Sequence, residues 1–93
     1  MKIHEILNKF RWDENFKSKI DDYILIYIHR GAINDEKVIK LTQITKVNKD
    51  SFYYKETEYD EETYIPYHRI KMIKSNKTNE IIYEKREKLR NIK

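Results

Sequence analysis

The dipeptide His-Arg occurs twice in this chain, as His29-Arg30 and as His68-Arg69. The first copy stands at the end of a predicted strand and the second stands in a predicted turn. Strand ends and turns are where a rigid scaffold usually presents functional groups. An arginine guanidinium offers a fixed fork of donors to phosphate oxygens, and an imidazole donates hydrogen bonds or carries charge near neutral pH. The two pairs therefore indicate a phosphate-binding site.

A tyrosine stands close to each pair, Tyr27 before the first and Tyr67 before the second. Tyrosine rings can stack on unpaired bases, which contributes about 1 to 3 kcal/mol per base. We therefore add both tyrosines to the two His-Arg pairs as a predicted contact set for a ligand that carries phosphate and bases, such as RNA. Taken one at a time, these residues are more often structural than functional: the arginines could pair with acids such as Asp35 or Glu62, His29 could satisfy a backbone carbonyl, and the tyrosines could belong to the core. The repetition of the pair favours function.

The residue inventory argues against most cofactor chemistry. The chain has one glycine and no cysteine, and its three histidines include no pair at metal-ligand spacing. A phosphate-cradling loop needs several glycines, and a metal site usually needs several His or carboxylate ligands. We therefore predict no cofactor, no metal and no thiol chemistry.

Catalysis by histidine remains an alternative. His29 and His68 could act as general base and acid while arginine stabilises charge on phosphorus, as in a metal-independent phosphodiesterase or ribonuclease. Neither histidine, however, is followed two places later by Ser or Thr, so the His-x-Ser/Thr signature of 2H phosphoesterases is missing. A binding module is favoured over an enzyme. A third reading is a protein-interaction module that docks a partner of RNA repair.

Length and composition indicate one small domain over residues 1–93. The 20 lysines and arginines exceed the 16 acids, giving a net charge of +4, and the excess is concentrated between Arg69 and Lys93. Such an excess is compatible with a polyanionic partner. The longest apolar run, Tyr23 to Ile28, is too short to span a bilayer, and no signal peptide is recognisable. A cytoplasmic location without membrane contact is predicted.

The elements that would position the pairs follow from apolar periodicity. Residues 3–10 carry apolar side chains at helical spacing and predict a helix. Trp12, Phe16 and Ile20 are expected to fix the next connection to the core. Residues 23–29 are β-branched or aromatic apart from Leu25 and the final histidine, which predicts a strand. Regular pleating would point His29 and Arg30 in opposite directions.

Further strands are predicted at 37–41, 44–47, 51–55, 63–65, 70–74 and 80–85. The turn Asn48-Lys49-Asp50 predicts a hairpin. One helix followed by many short strands predicts an α+β fold: a short N-terminal helix and a bent antiparallel sheet, which would form a small SH3-like barrel if it closed. The ordered part is predicted to cover about residues 1–85, with a basic tail over 86–93.

Beyond these patterns, the chain resembles a small, mostly archaeal family. The segments that carry the resemblance are Met1 to Asp13, Tyr27 to Ala32, Asp35 to Ile39 and Ile65 to Ile70. The family has been proposed to recognise RNA ends bearing a 2',3'-cyclic phosphate, and related domains occur fused to RNA-processing proteins such as 2H phosphoesterases. One departure is Lys40-Leu41, where many relatives carry a proline and glycine turn.

The resemblance implies a role as well as a family. It implies that this chain binds single-stranded RNA 3' ends bearing a 2',3'-cyclic or terminal phosphate, in RNA processing or repair and in company with an RNA-processing enzyme. It places His29, Arg30, His68 and Arg69 in the end-binding set. These expectations require the two His-Arg pairs to lie close together in the folded chain.

Overall fold

The computed structural model describes residues 2–85, so the predicted basic tail at 86–93 lies outside the described residues. Helix α1, Ile3–Trp12, opens the fold and buries Ile6, Leu7 and Phe10 against the strands. These three residues recur at the spacing that lines one face of a helix. The helix predicted for residues 3–10 is confirmed and continues for two more residues.

The connection after α1 is partly helical, and one of its aromatic residues was misassigned. A short helix α2, Glu14–Lys17, follows α1, and Phe16 and Ile20 pack against the core as expected. Trp12, in contrast, is 71% exposed, so its predicted core role is wrong. Because α1 extends through Trp12, that side chain lies about 200° around the helix from Phe10, away from the apolar face.

Within residues 2–85, seven strands form two antiparallel sheets. They are β1 Tyr23–Ile28, β2 Glu36–Lys40, β3 Ile44–Val47, β4 Ser51–Tyr54, β5 Thr63–Pro66, β6 Ile70–Ser75 and β7 Ile81–Glu84. The strand order is β2-β1-β6-β7 in the four-stranded sheet and β3-β4-β5 in the three-stranded sheet. The α+β prediction is confirmed, and the predicted hairpin turn at Asn48 to Asp50 joins β3 to β4.

The sequence predicted a single bent sheet that would form a barrel if it closed. The described strands instead form two separate sheets. The chain passes between the sheets through two 3-10 helices, Leu41–Gln43 and Tyr67–Arg69. Each of these helices interrupts the extended backbone, so the sheet ladder does not continue from one strand to the next. The described strands therefore do not close into a barrel.

One hydrophobic core joins the helix to both sheets. Its buried residues come from α1, the four-stranded sheet, the three-stranded sheet and the first 3-10 helix between them. The hydroxyl groups of Tyr27 and Tyr54 lie 2.6 Å apart inside this core, linking the two sheets. This contact satisfies two polar groups that would otherwise be costly to bury.

All helices in the described residues are short. The longest helix, α1, has ten residues, and no helix between residues 2 and 85 is long and apolar enough to cross a membrane.

Candidate functional site

The pairing of β1 with β6 brings the two His-Arg pairs to one end of the four-stranded sheet. These strands run antiparallel, with Tyr27 opposite Ile70. Extending that register by two residues would place His29 opposite His68, because the end of one antiparallel strand lies beside the start of its partner. The two pairs, distant in sequence, are therefore neighbours in space.

A pocket of about 550 Å³ opens at this end of the sheet. Its lining consists of Ile28, His29, Arg30, His68, Arg69 and Lys85. We call it the His-Arg pocket. The histidines and arginines are all solvent-exposed. The structure thus brings together four of the six residues in the predicted contact set.

The first pair is held by the loop between β1 and β2. The backbone N–H of His29 donates to the carbonyl of Asp35 at 2.8 Å, and the N–H of Ala32 donates to the carbonyl of His29 at 3.2 Å. Gly31 has a φ of +93°, which glycine adopts without the penalty of a Cβ. The strand ends at Ile28, so the pleating that would have separated the two side chains of the pair does not continue. The regular pleating on which the opposite directions depended is therefore absent, and both side chains line the same pocket.

The second pair is held by the 3-10 helix that connects the two sheets. Pro66 ends β5 and precedes this helix, with a φ of −71° that suits proline. The backbone N–H of Tyr67 donates to the carbonyl of Asp50 at 3.0 Å. The ammonium of Lys85 donates to the carbonyl of His68 at 2.7 Å, which fixes the pair from the β7 side.

The pocket carries positive charge that no described carboxylate neutralises. Among residues 2–85, the ion pairs are Lys37–Glu56 and Lys71–Glu36. Neither Arg30 nor Arg69 forms an ion pair with any residue in that range, and no acid lines the pocket. Unpaired guanidinium groups in a shared hollow suit a phosphate, because they can donate to several of its oxygens at once.

Asp35 and Glu62, the acids considered above as partners of the arginines, interact with other groups. A carboxylate oxygen of Asp35 lies 3.4 Å from the backbone N–H of Gly31, and Glu62 accepts a hydrogen bond from the Thr45 hydroxyl at 2.6 Å. The structural alternative, in which Asp35 or Glu62 pairs with the arginines, is therefore not what the fold adopts.

Tyr27 lies in the core, packs against the His29 ring and does not line the pocket. Its side chain is only 1% exposed, so its ring face is not available to a base, contrary to the prediction. Its ring meets the His29 ring edge-on, with centroids 6.0 Å apart. Burial, followed by the hydrogen bond with Tyr54, raises the pKa of Tyr27 above the usual tyrosine range, and nearby Arg69 partly opposes that shift. A neutral hydroxyl therefore lies beneath the site.

Tyr67 also departs from its predicted place beside the pair. Its ring is half-buried and stacks on Phe52 with centroids 6.3 Å apart, and its hydroxyl donates to the carbonyl of Asn48. It borders a second pocket and is absent from the lining of the His-Arg pocket.

Lys85 is the one charged lining residue that was not predicted individually, although it lies in the basic stretch between Arg69 and Lys93. It directly follows β7, and its backbone N–H donates to the carbonyl of Lys71 at 2.9 Å, which brings it to the same end of the sheet. A lone lysine at a strand end carries no sequence signal, because only the pairing of β7 with β6 gives it a place in the pocket. Among the described residues, no group of three or more His, Cys, Asp or Glu is arranged to hold a metal ion.

Comparison with known proteins assigns the chain to a family. Residues 1–85 match the model of the MJ1316 RNA cyclic group end recognition domain. A UPF0248 protein of Methanococcus maripaludis is 46% identical over 84 residues, covering 90% of this chain and 99% of the relative. A UPF0248 protein of Saccharolobus islandicus is 36% identical over 85 residues, covering 91% of this chain and all of the relative. No solved structure matches the chain. The chain therefore belongs to the family of the MJ1316 RNA cyclic group end recognition domain, together with archaeal UPF0248 proteins.

Proposed function

We propose that this protein binds the 3' ends of single-stranded RNA that carry a 2',3'-cyclic or terminal phosphate, and that it acts in RNA processing or repair. The observation that supports the proposal best is the convergence of both His-Arg pairs on one exposed pocket whose lining includes no carboxylate from the described part of the chain. The family description, RNA cyclic group end recognition, agrees with the same role.

Each lining side chain has a role suited to its chemistry. Arg30 and Arg69 hold the phosphate oxygens, because a planar guanidinium can donate two parallel hydrogen bonds. His29 and His68 donate to a phosphate oxygen or to a ribose oxygen beside it. Lys85 adds a third permanent positive charge to the pocket. Single-stranded RNA suits such a site, since its unpaired bases and ribose hydroxyls are accessible.

Binding to oligonucleotides that differ only at the 3' end tests the proposal. We would compare one RNA sequence with a 2',3'-cyclic phosphate, a 3'-phosphate or a 3'-hydroxyl end. The phosphorylated ends should bind at least about tenfold more tightly than the hydroxyl end, because a charge-assisted hydrogen bond contributes roughly 1.5 to 3 kcal/mol. The affinity should fall as salt rises. Equal affinity for all three ends would contradict the proposal.

Cleavage is a second candidate because both histidines line the same pocket. In this reaction water attacks phosphorus and one phosphorus–oxygen bond to ribose breaks, which leaves a 2'- or 3'-monophosphate. One histidine would take the proton from water and the other would give a proton to the departing ribose oxygen. Incubation of cyclic-phosphate RNA with the protein in chelator tests this. Turnover that His68→Ala abolishes in a folded protein would establish catalysis, whereas an unchanged cyclic end would leave binding as the function.

A further inference from the structure

A second pocket is lined in part by the same 3-10 helix, Tyr67–Arg69, that contributes to the His-Arg pocket. Its volume is about 320 Å³, and its lining consists of Lys2, Ile3, His4, Lys49, Tyr67 and Tyr83. These residues come from the start of α1, the β3–β4 turn, the 3-10 helix between the sheets, and β7. We call it the Lys-Tyr pocket.

Two segments contribute residues to both pockets: the 3-10 helix Tyr67–Arg69 and the end of β7 with the residue that follows it. In the 3-10 helix, Tyr67 lines the Lys-Tyr pocket while the next residue, His68, lines the His-Arg pocket. Tyr83 of β7 lines the Lys-Tyr pocket, and Lys85, which follows β7 and still pairs with Lys71, lines the His-Arg pocket. Residues two apart on a strand share a face and lie about 7 Å apart. A ligand longer than one phosphate could therefore extend from one pocket into the other.

The lining of the Lys-Tyr pocket suits a nucleotide. Lys2 and Lys49 are exposed and carry no described ion pair, and no acid is among the lining residues. Tyrosine rings next to positive charges are the combination with which proteins hold single-stranded nucleic acid. One acid stands near: Asp50 acts electrostatically on Tyr67 without lining the pocket.

A third pocket, on the outer side of α1, is less suitable for an anion. Its lining includes the carboxylates of Glu5 and Asp13 beside the single ammonium of Lys9. Acids at that density would repel a phosphate, so the exposed Trp12 in its lining does not by itself extend the nucleotide path.

From this geometry we infer that the Lys-Tyr pocket holds the first internucleotide phosphate upstream of the RNA 3' end. Lys2 and Lys49 contact that phosphate, and the rings of Tyr67 and Tyr83 contact a base beside it. The inference rests on the proposed function, since the terminal phosphate in the His-Arg pocket sets the register. It implies that the protein recognises the end together with the nucleotide before it.

A pair of minimal ligands isolates the second pocket. A nucleoside 2',3'-cyclic phosphate has the end but no internucleotide phosphate, whereas a dinucleotide with the same cyclic end has one. The dinucleotide should bind at least about tenfold more tightly, the gain expected from one charge-assisted contact. In the double variant Lys2→Gln, Lys49→Gln this gain should disappear, while affinity for the nucleoside cyclic phosphate stays unchanged.

A matched control removes equal charge elsewhere. Lys17 and Lys77 are exposed and line none of the three pockets. The variant Lys17→Gln, Lys77→Gln should keep the dinucleotide gain. Asp50→Asn should act in the opposite direction, tightening dinucleotide binding about two- to threefold, because it removes a nearby negative charge.

Failure of this inference and failure of the proposed function give different results. Equal affinity of the wild-type protein for the dinucleotide and the nucleoside would contradict the inference, as would equal losses in the two double variants. Equal affinity for dinucleotides with cyclic and hydroxyl ends would instead contradict the proposed function. A dinucleotide gain that depends on Lys2 and Lys49, together with an end preference, would support both.

Discussion

The two His-Arg pairs have the same sequence but reach the pocket on different kinds of backbone. His29-Arg30 stands in a hairpin loop whose shape depends on residues with positive φ: Gly31, Asn34 and Asp35. His68-Arg69 stands in a 3-10 helix whose ends continue into strands of two different sheets. The first pair is thus supported by a single hairpin, and the second is supported from both sheets and from Lys85.

The second pair is therefore the better-fixed half of the site. Groups that are already held in position lose less conformational freedom when a ligand binds. We therefore expect the second pair to contribute more to affinity, and the first pair to depend more on its local backbone. Substitutions in each half of the site test whether the second pair contributes more to affinity than the first.

Loss of either arginine should have the largest effect. Arg30→Gln and Arg69→Gln should each weaken binding of cyclic-phosphate RNA by about 10- to 100-fold, since a hydrogen bond to a charged group contributes roughly 1.5 to 3 kcal/mol. Arg69→Gln should cost more, because its backbone is better fixed. Fluorescence anisotropy with labelled RNA measures this. Arg11→Gln, on α1 outside the His-Arg pocket, is the matched control. Affinities equal to that control would exclude the arginines from the site.

Tyr27→Phe should lower the free energy of unfolding by about 1 to 3 kcal/mol, because the buried hydroxyl of Tyr54 loses its partner. RNA affinity should stay close to the wild-type value, because phenylalanine keeps the ring that contacts His29. Denaturant unfolding and RNA binding measure the two quantities. Tyr59→Phe, at a side chain that is 90% exposed, provides the comparison and should change neither. Equal stability of the two variants would show that the inter-sheet hydroxyl contact contributes nothing.

Gly31→Ala affects only the backbone of the first pair. An added Cβ would meet no atom within 4 Å, so the cost comes from the positive φ alone and should be about 1 to 2 kcal/mol. Thermal unfolding should register this loss. Gly31→Asn should cost less, because asparagine tolerates positive φ better. A larger loss for Gly31→Asn than for Gly31→Ala would show that side-chain size, and not φ, limits this position.

Tyr67→Phe should have the smallest effect at neutral pH, about 0.5 to 1.5 kcal/mol from the lost hydrogen bond to Asn48. Burial, and then the charge of Asp50, raise the pKa of Tyr67 from 10.0 to about 12. A raised pKa means that the folded protein holds this proton more tightly. Its contribution to stability is complete below about pH 10 and is lost as the pH rises towards 12. Unfolding curves across this range should be less steep in pH for the variant than for the wild type. Identical slopes would show that Tyr67 titrates normally.

Much of the fold follows from local sequence patterns. The run from Tyr23 to Ile28 is so rich in β-branched and aromatic residues that its strand was predictable, and the spacing of Ile6, Leu7 and Phe10 predicted α1. One assignment failed because α1 continues two residues beyond its predicted end. Trp12 was assigned to the core because large aromatics are usually buried, but its angular position on α1 decides otherwise.

The candidate site was predictable as a set of residue types more than as a geometry. The repeated dipeptide marked His29, Arg30, His68 and Arg69, yet their convergence depends on the pairing of β1 with β6. No local pattern specifies which strands pair across so long a separation. For the same reason Lys85 was not predicted as a pocket residue. Tyr27 was predicted to contact RNA, but the three-stranded sheet covers it.

The 3-10 helix Tyr67–Arg69 distributes its side chains between two pockets with only three residues. Because this helix has about three residues per turn, inserting one residue would rotate the following side chain by about 120° and send it to the wrong pocket. The exposed connection between β4 and β5, at residues 55–62, could change length without that effect. Spacing between Pro66 and Ile70 should thus be a stricter marker of this kind of site than the identity of any single residue between them.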